Sequence, residues 1–232
     1  MICKLFVFRH AETFDNKNEV FSGWRDSKLT PKGILEAREI AEQLAEYKID
    51  YAFTSHLNRA KKTLKIVLQN HPSVPVFVDD RLIERCYGFF HGRTKKRVSY
   101  EDPEFYKKFH RGYDTAPPEG ESLKMVENRV QSFLYELGDW LRQNPGNVAI
   151  SCHNNSIRPM RRIFEKLDLT QMCTIETPQD RALIYNFDLK NVDLFHSSNH
   201  RANQVKWDGV LISNRIKLAT DPQNLLRKYY QG

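Results

Sequence analysis

The chain alternates between short apolar runs and longer stretches in which apolar residues recur every three or four positions. The first run, Leu5-Phe6-Val7-Phe8, is aromatic and β-branched and stops at Arg9-His10, which predicts a buried strand ending in a polar pair. Val148-Ala149-Ile150-Ser151-Cys152 repeats the arrangement and delivers His153 into a turn just before a helix. Between them, Thr30-Pro31 marks a helix start, with an N-cap followed by proline at the first helical position, and Ile34, Ala37, Ile40, Ala41 and Leu44 share one face. Residues 49–54 read as a second strand, and residues 55–60 open a helix whose inner face is Ala60, Leu64, Val67 and Leu68. Residues 74–78 form a third strand, with Pro75 at its start or on a sheet edge. From residue 79 to 120 the periodicity dissolves. Ser122 then caps a helix with Leu123, Val126, Val130, Phe133, Leu137 and Trp140 on its face, and Asn144-Pro145-Gly146 ends it. A helix over residues 156–167 and a strand over 183–187 follow, and the polar tail holds a short strand at 210–212 and a terminal helix at 221–230. Strands alternating with amphipathic helices predict an α/β fold, a parallel sheet with helices on both faces. Ligands bind such sheets beyond the carboxyl ends of the strands, so the two strand-end histidines are expected to meet in one pocket.

Length and charge narrow the picture. At 232 residues the chain can bury a full core and is read as one domain, with a lid insertion at about 94–120 and a divergent tail at about 191–232. Lys and Arg number 36 against 29 Asp and Glu, a net charge of +7, but no basic block stands alone. A small phosphorylated metabolite is therefore the expected partner, rather than nucleic acid or a membrane surface. The four cysteines, Cys3, Cys86, Cys152 and Cys173, show no C-x-x-C spacing and read as reduced thiols. With no apolar run near membrane-span length and no signal-peptide pattern, a cytoplasmic location is the expectation.

A neutral imidazole is a competent nucleophile near physiological pH. Arg9 adjoins His10, and Arg59 lies at the opening of the second helix, where guanidinium and helix N-terminus both favour an anion. Arginines converging on a histidine suggest phosphoryl transfer to that histidine, since guanidinium forks match phosphate oxygens. A metal site is the weaker reading: there is no H-x-x-x-H or Cys/His cluster, and crowded arginines would repel a divalent cation. A lone strand-end histidine is most often a hydrogen-bonded structural residue; two of them with flanking arginines raise the catalytic reading.

Arg9-His10-Ala11-Glu12-Thr13 resembles the signature of the histidine phosphatase superfamily, also called phosphoglycerate-mutase-like. The resemblance continues in order through Asn16, Phe21-Ser22-Gly23-Trp24-Arg25-Asp26 and Leu29-Thr30-Pro31-Lys32-Gly33, then Thr54-Ser55-His56-Leu57-Asn58-Arg59-Ala60. Arg81-Leu82-Ile83-Glu84-Arg85-Cys86-Tyr87-Gly88, Gly120-Glu121-Ser122-Leu123 and His153-Asn154-Asn155-Ser156-Ile157-Arg158 complete it. It implies a three-layer α/β/α sandwich with a mostly parallel sheet and no metal. His10 would be the nucleophile that becomes phosphohistidine, with Arg9, Arg59 and His153 holding the phosphoryl oxygens and Glu84 as general acid and base at the bridging oxygen. Asn16, Ser22, Gly23, Arg85, Tyr87, Lys95, Arg111 and Asn155 would contact substrate, with Lys96 the rival of Lys95.

Within the family, Glu84-Arg85-x-Tyr87-Gly88 with Lys95 and Arg111 favours a cofactor-dependent phosphoglycerate mutase, primed by 2,3-bisphosphoglycerate and with no tightly bound cofactor. A homodimer is an admissible assembly for it. The alternative is a phosphatase acting on small phosphate esters through the same intermediate. Several departures point that way: Ala11 and Asn154 in place of glycines, His110 before Arg111, and Phe89-Phe90-His91-Gly92-Arg93-Thr94. A non-catalytic binding module is a third possibility, opposed by the joint retention of His10, Arg9, Arg59, Glu84 and His153.

Overall fold

Two neighbouring strands carry the two histidines. The computed structural model describes residues 2–189. Its five-stranded sheet is built from β1 (Ile2–Arg9), β2 (Tyr51–Thr54), β3 (Val76–Val78), β4 (Val148–Cys152) and β5 (Leu183–Asp188) in the order β3-β2-β4-β1-β5. All pairings are parallel except β1 with β5. The helices are α1 (Phe14–Lys17), α2 (Pro31–Leu44), α3 (Asn58–Val67), α4 (Lys95–Glu101), α5 (Pro103–His110), α6 (Leu123–Gln143), α7 (Asn154–Glu165) and α8 (Leu169–Thr174).

Alternation along the strands sorts the core into two halves. Leu5, Val7, Phe53 and Ile150 face Val126, Phe133 and Leu137 of α6 and Ile157 and Met160 of α7. Phe6, Phe8, Ala52 and Ala149 face Ile40 and Leu44 of α2 and Leu64 and Val67 of α3. The result is the three-layer α/β/α sandwich with a mostly parallel sheet. In the β1–β4 register Arg9 lies opposite Cys152, so His10 and His153 leave adjacent strands at the same level. The His10 amide then donates to the Cys152 carbonyl at 2.9 Å, which extends the ladder to the nucleophile.

The expected caps are present, Thr30 Oγ1 accepting from Gly33 N and Ser122 Oγ from Met125 N. β3 is shorter than 74–78 because Pro75 cannot donate; it offers only its carbonyl, to Ala52 N, at the sheet edge. The helix expected from 156 begins at Asn154, directly off the strand end. In the stretch 79–120, where periodicity fails, α4 and α5 stand on side-chain caps from Thr94 and Asp102, and their Val98 and Phe109 pack with Phe21 and Phe90. Segments this short cannot display a helical stripe, and the same holds for α1 and α8, which sequence periodicity did not show. The expected elements at 210–212 and 221–230 lie outside the described residues.

Candidate active site

At the carboxyl end of β1, His10 is 2% exposed. Its Nδ1 lies 2.9 Å from the Ala11 carbonyl, an acceptor only, so the ring proton sits on Nδ1 and the lone pair on Nε2. Arg59 Nε donates to that Nε2 at 3.2 Å, while its NH1 and NH2 donate to the carbonyls of Arg25 and Gly23. One buried guanidinium thus ties the 21–26 loop to the nucleophile, and burial draws its pKa down to about 10. Burial, then the charges of Arg59 and Arg9, hold the His10 pKa well below its ordinary value, so the imidazole is neutral and nucleophilic at physiological pH.

The His153 ring centroid lies 5.1 Å from that of His10. Ser55 Oγ, at the end of β2, accepts from Leu57 N at 3.4 Å and contacts His153 Nε2 at 2.7 Å. A Ser55 hydroxyl that donates to Nε2 leaves the ring proton of His153 on Nδ1. That Nδ1, and Arg9 Nε, are buried without a hydrogen-bond partner among the described residues. Two unsatisfied buried donors beside a neutral nucleophile fit the oxygens of a phosphoryl group.

Glu84 sits on an irregular segment held from several sides. Its carbonyl accepts from Trp24 Nε1 at 2.5 Å and Arg129 NH2 at 3.3 Å, and Ser156 Oγ donates to the Ile83 carbonyl at 2.5 Å. Arg129 also reaches the Arg81 carbonyl and pairs with buried Glu121, which accepts from Cys86 N. The Glu84 side chain is turned into the pocket, Oε1 accepting from Arg85 N at 2.7 Å and Asn155 Nδ2 at 2.9 Å. Asn155 Nδ2 also donates to the Tyr87 hydroxyl, and its Oδ1 accepts from Arg158 NH1.

These groups line one pocket, open to solvent at its outer end. Of the residues expected at the site, Arg9, His10, Asn16, Ser22, Gly23, Arg59, Glu84, Tyr87, Lys95, Arg111 and Asn155 line it; His153 does not, its fully buried ring standing 5.1 Å from that of His10 between centroids. Lys95 rather than Lys96 faces it. Arg85 does not. Its side chain is fully buried and donates to three backbone carbonyls, those of Glu121 (2.6 Å), Phe109 (2.9 Å) and Thr115 (3.1 Å), which consumes the guanidinium inside the protein. Six further lining residues were not singled out from sequence as site residues: Val20, Phe21, His110, Asn154, Arg158 and Glu176. Arg158 falls one helical turn after Asn155, a spacing that could have revealed it. Glu176 lies on an aperiodic loop and carried no signal. Among the described residues, no group of His, Cys, Asp and Glu is placed to hold a metal ion.

The model of the histidine phosphatase superfamily, branch 1, matches residues 5–204. The chain is 32% identical over 223 residues to the 2,3-bisphosphoglycerate-dependent phosphoglycerate mutase of Methanococcus vannielii, covering 82% of this chain and 93% of that one. It is 34% identical over 192 residues to the phosphoglycerate mutase of Schizosaccharomyces pombe, covering 79% and 90%. Among solved structures it resembles the α-ribazole phosphatase of Shigella flexneri, with a TM-score of 0.70 at 25% identity, covering 78% of this chain and 89% of that one. The chain belongs to branch 1 of the histidine phosphatase superfamily, in which its relatives include both phosphoglycerate mutases and a phosphatase.

Proposed function

We propose that this protein is a phosphoglycerate mutase, interconverting 3-phosphoglycerate and 2-phosphoglycerate through phosphohistidine at His10. The observation that carries this reading is a second ring of cations, Lys95, Arg111 and Arg158, lining the same pocket outside the Arg9, Arg59, His10 and His153 cluster. One phosphoryl group is served by the inner cluster; a ligand with two anionic ends uses both. Naming of the M. vannielii relative as a bisphosphoglycerate-dependent mutase supports the same assignment.

The residues fit 2,3-bisphosphoglycerate, whose contribution when bound is to donate the phosphoryl group that primes His10. The chain's own groups do the rest. His10 Nε2 attacks in line, while Arg9, Arg59 and the Nδ1–H of His153 stabilise charge on the equatorial oxygens. Glu84 delivers a proton to the departing bridging oxygen and takes one from the hydroxyl that attacks in the return step. The outer cations hold the carboxylate end while the intermediate reorients. Phe21 and Val20 supply the apolar part of the lining. A phosphatase is the second reading, favoured by Arg85, which is spent on backbone carbonyls and adds no cation to the pocket.

Phosphorus NMR of the purified protein with 3-phosphoglycerate and chelator, with and without catalytic 2,3-bisphosphoglycerate, tests this. Bisphosphate-dependent appearance of 2-phosphoglycerate is expected; inorganic phosphate released without isomerisation would replace the mutase by the phosphatase.

A further inference from the structure

The carboxylates lining the pocket are Glu84, which the mechanism uses, and Glu176, which it does not. Glu176 stands at the outer ring of cations. Its Oε1 accepts from Arg111 NH1 at 2.8 Å and Arg158 NH2 at 2.9 Å; its Oε2 accepts from Asn154 Nδ2 at 2.8 Å and lies 4.0 Å from Arg9 NH1. The carboxylate therefore reaches two of the three outer cations and touches the edge of the inner set.

The loop that carries it is fixed by its backbone. Arg158 Nε donates to the Ile175 carbonyl and Arg161 NH1 to the Glu176 carbonyl, while Thr177 N donates to Asn154 Oδ1. Two residues on, Gln179 Nε2 donates to the His10 carbonyl and to Asn16 Oδ1, so this segment is a wall of the site. The side chain itself is 54% exposed, whereas that of its partner Arg158 is 3% exposed. The loop is held by three hydrogen bonds around its backbone, and the carboxylate is its solvent-exposed part.

We infer that Glu176 is a specificity-determining residue whose carboxylate occupies the outer-anion subsite of the empty enzyme and is displaced by the second anionic group of the substrate. The identity of that substrate as phosphoglycerate rests on the mutase reading above. A ligand with one phosphate and no second charge leaves Glu176 in place. A ligand with a distal carboxylate exchanges with it at Arg111 and Arg158. The exchange lowers ground-state affinity for the substrate without touching the contacts to the transferring phosphoryl group, which keeps KM high and spares kcat. It also keeps the outer arginines paired when the site is empty.

The test compares binding of 3-phosphoglycerate and glycerol 3-phosphate, which differ in a carboxylate against a hydroxymethyl group, by calorimetry at fixed ionic strength. The full chain carries His10→Asn in both arms so that neither ligand turns over, and the second arm adds Glu176→Gln, which preserves side-chain shape on a loop held by backbone bonds. Removing the internal competitor from a half-exposed pair is worth about five- to tenfold in binding. The ratio of the two dissociation constants should therefore shift about five- to tenfold toward 3-phosphoglycerate, with glycerol 3-phosphate itself changed much less. An unchanged ratio, weaker 3-phosphoglycerate binding in the Glu176→Gln arm, or no 3-phosphoglycerate binding in either arm would overturn the inference. A failed mutase reading is seen separately, as phosphate release by the unmodified enzyme in the NMR assay.

Discussion

Replacing Arg85 with methionine separates a structural arginine from a substrate-binding one. The guanidinium donates to carbonyls of Glu121, Phe109 and Thr115, and so fastens the start of α6 and the end of α5 to the segment bearing Glu84. Methionine fills a similar volume and leaves three carbonyls short of a donor. An unmet buried carbonyl costs about 1–2 kcal/mol, the partly buried Thr115 carbonyl less, and relief from burying a charge returns part of the loss. Burial does depress the Arg85 pKa, which fits a guanidinium held at some desolvation cost. The net expectation is about 3 kcal/mol of destabilisation, or a fall in Tm of about 6–12 °C for a chain of this size. Differential scanning fluorimetry and urea unfolding measure it, and Arg85→Lys, which restores one donor, should fall between. Binding of 3-phosphoglycerate should weaken by no more than loosening of the Arg111 segment allows, and ligand should raise the stability of the variant and of the unmodified protein by similar amounts. An unchanged Tm with binding reduced a hundredfold would refute the reasoning and return Arg85 to the substrate.

The remaining predictions concern charge and backbone. Four histidines, His10, His153, His91 and His110, are held below their ordinary pKa, each chiefly by burial, the last two to about 4 and about 3. A histidine kept neutral in the folded state binds fewer protons there than when unfolded, so its contribution to stability is present above pH 6.5 and lost as pH falls below it. For fully buried His10 and His153 alone, unfolding free energy should drop by about 3 kcal/mol between pH 7.5 and 5.5, before carboxylates titrate; urea titrations showing no change across that window would contradict the burial. For Gly23→Ala, kcat/KM should fall more than tenfold: the residue has φ +50°, a Cβ would lie 2.0 Å from His91 Nε2, and its carbonyl holds Arg59. Steady-state kinetics with Gly23→Asn should show the same loss, since asparagine tolerates the backbone but not the contact, and wild-type rates in either variant would disprove it.

Much of this architecture could be read along the chain because its strands and main helices carry strong periodic patterns. Leu5 to Phe8 are apolar throughout, and Val148 to Cys152 apart from the buried Ser151, since both faces of their strands are covered, and that is why their polar successors stood out. Sheet order was not legible: nothing in the sequence says that β4, rather than β2, is inserted beside β1, yet this adjacency brings His10 and His153 to 5.1 Å. Arg85 shows the opposite difficulty. Its neighbours Glu84 and Tyr87 line the pocket, but the 3₁₀ turns and extended steps of the segment send consecutive side chains in unrelated directions, so motif membership does not reveal which way an arginine points. Glu176 was silent because a single carboxylate on a loop acquires meaning only from the arginines that the fold gathers around it.

The two halves of the pocket are built by different means, and this bears on how such a site changes its substrate. The inner half is a product of sheet register: His10, Ser55 and His153 follow the ends of three adjacent parallel strands, and a displacement of any of them would unpair a buried ladder. The outer half comes from side chains on α4, on the segment after α5, on α7 and on the 175–179 wall: Lys95, Arg111, Arg158 and Glu176. Substitutions of its exposed members, Arg111 and Glu176, rearrange ion pairs that solvent reaches, at a cost of about 1 kcal/mol each, while the nucleophile and its donors stay in place. The chemistry of phosphoryl transfer is thus anchored to the part of the structure least able to vary. On the proposed reading, the fate of the phosphoryl group, returned to a second anionic ligand or passed to water, is set by the part most able to do so. In this chain that outer part holds three cations and one carboxylate, and the balance among them is what a change in substrate would have to alter.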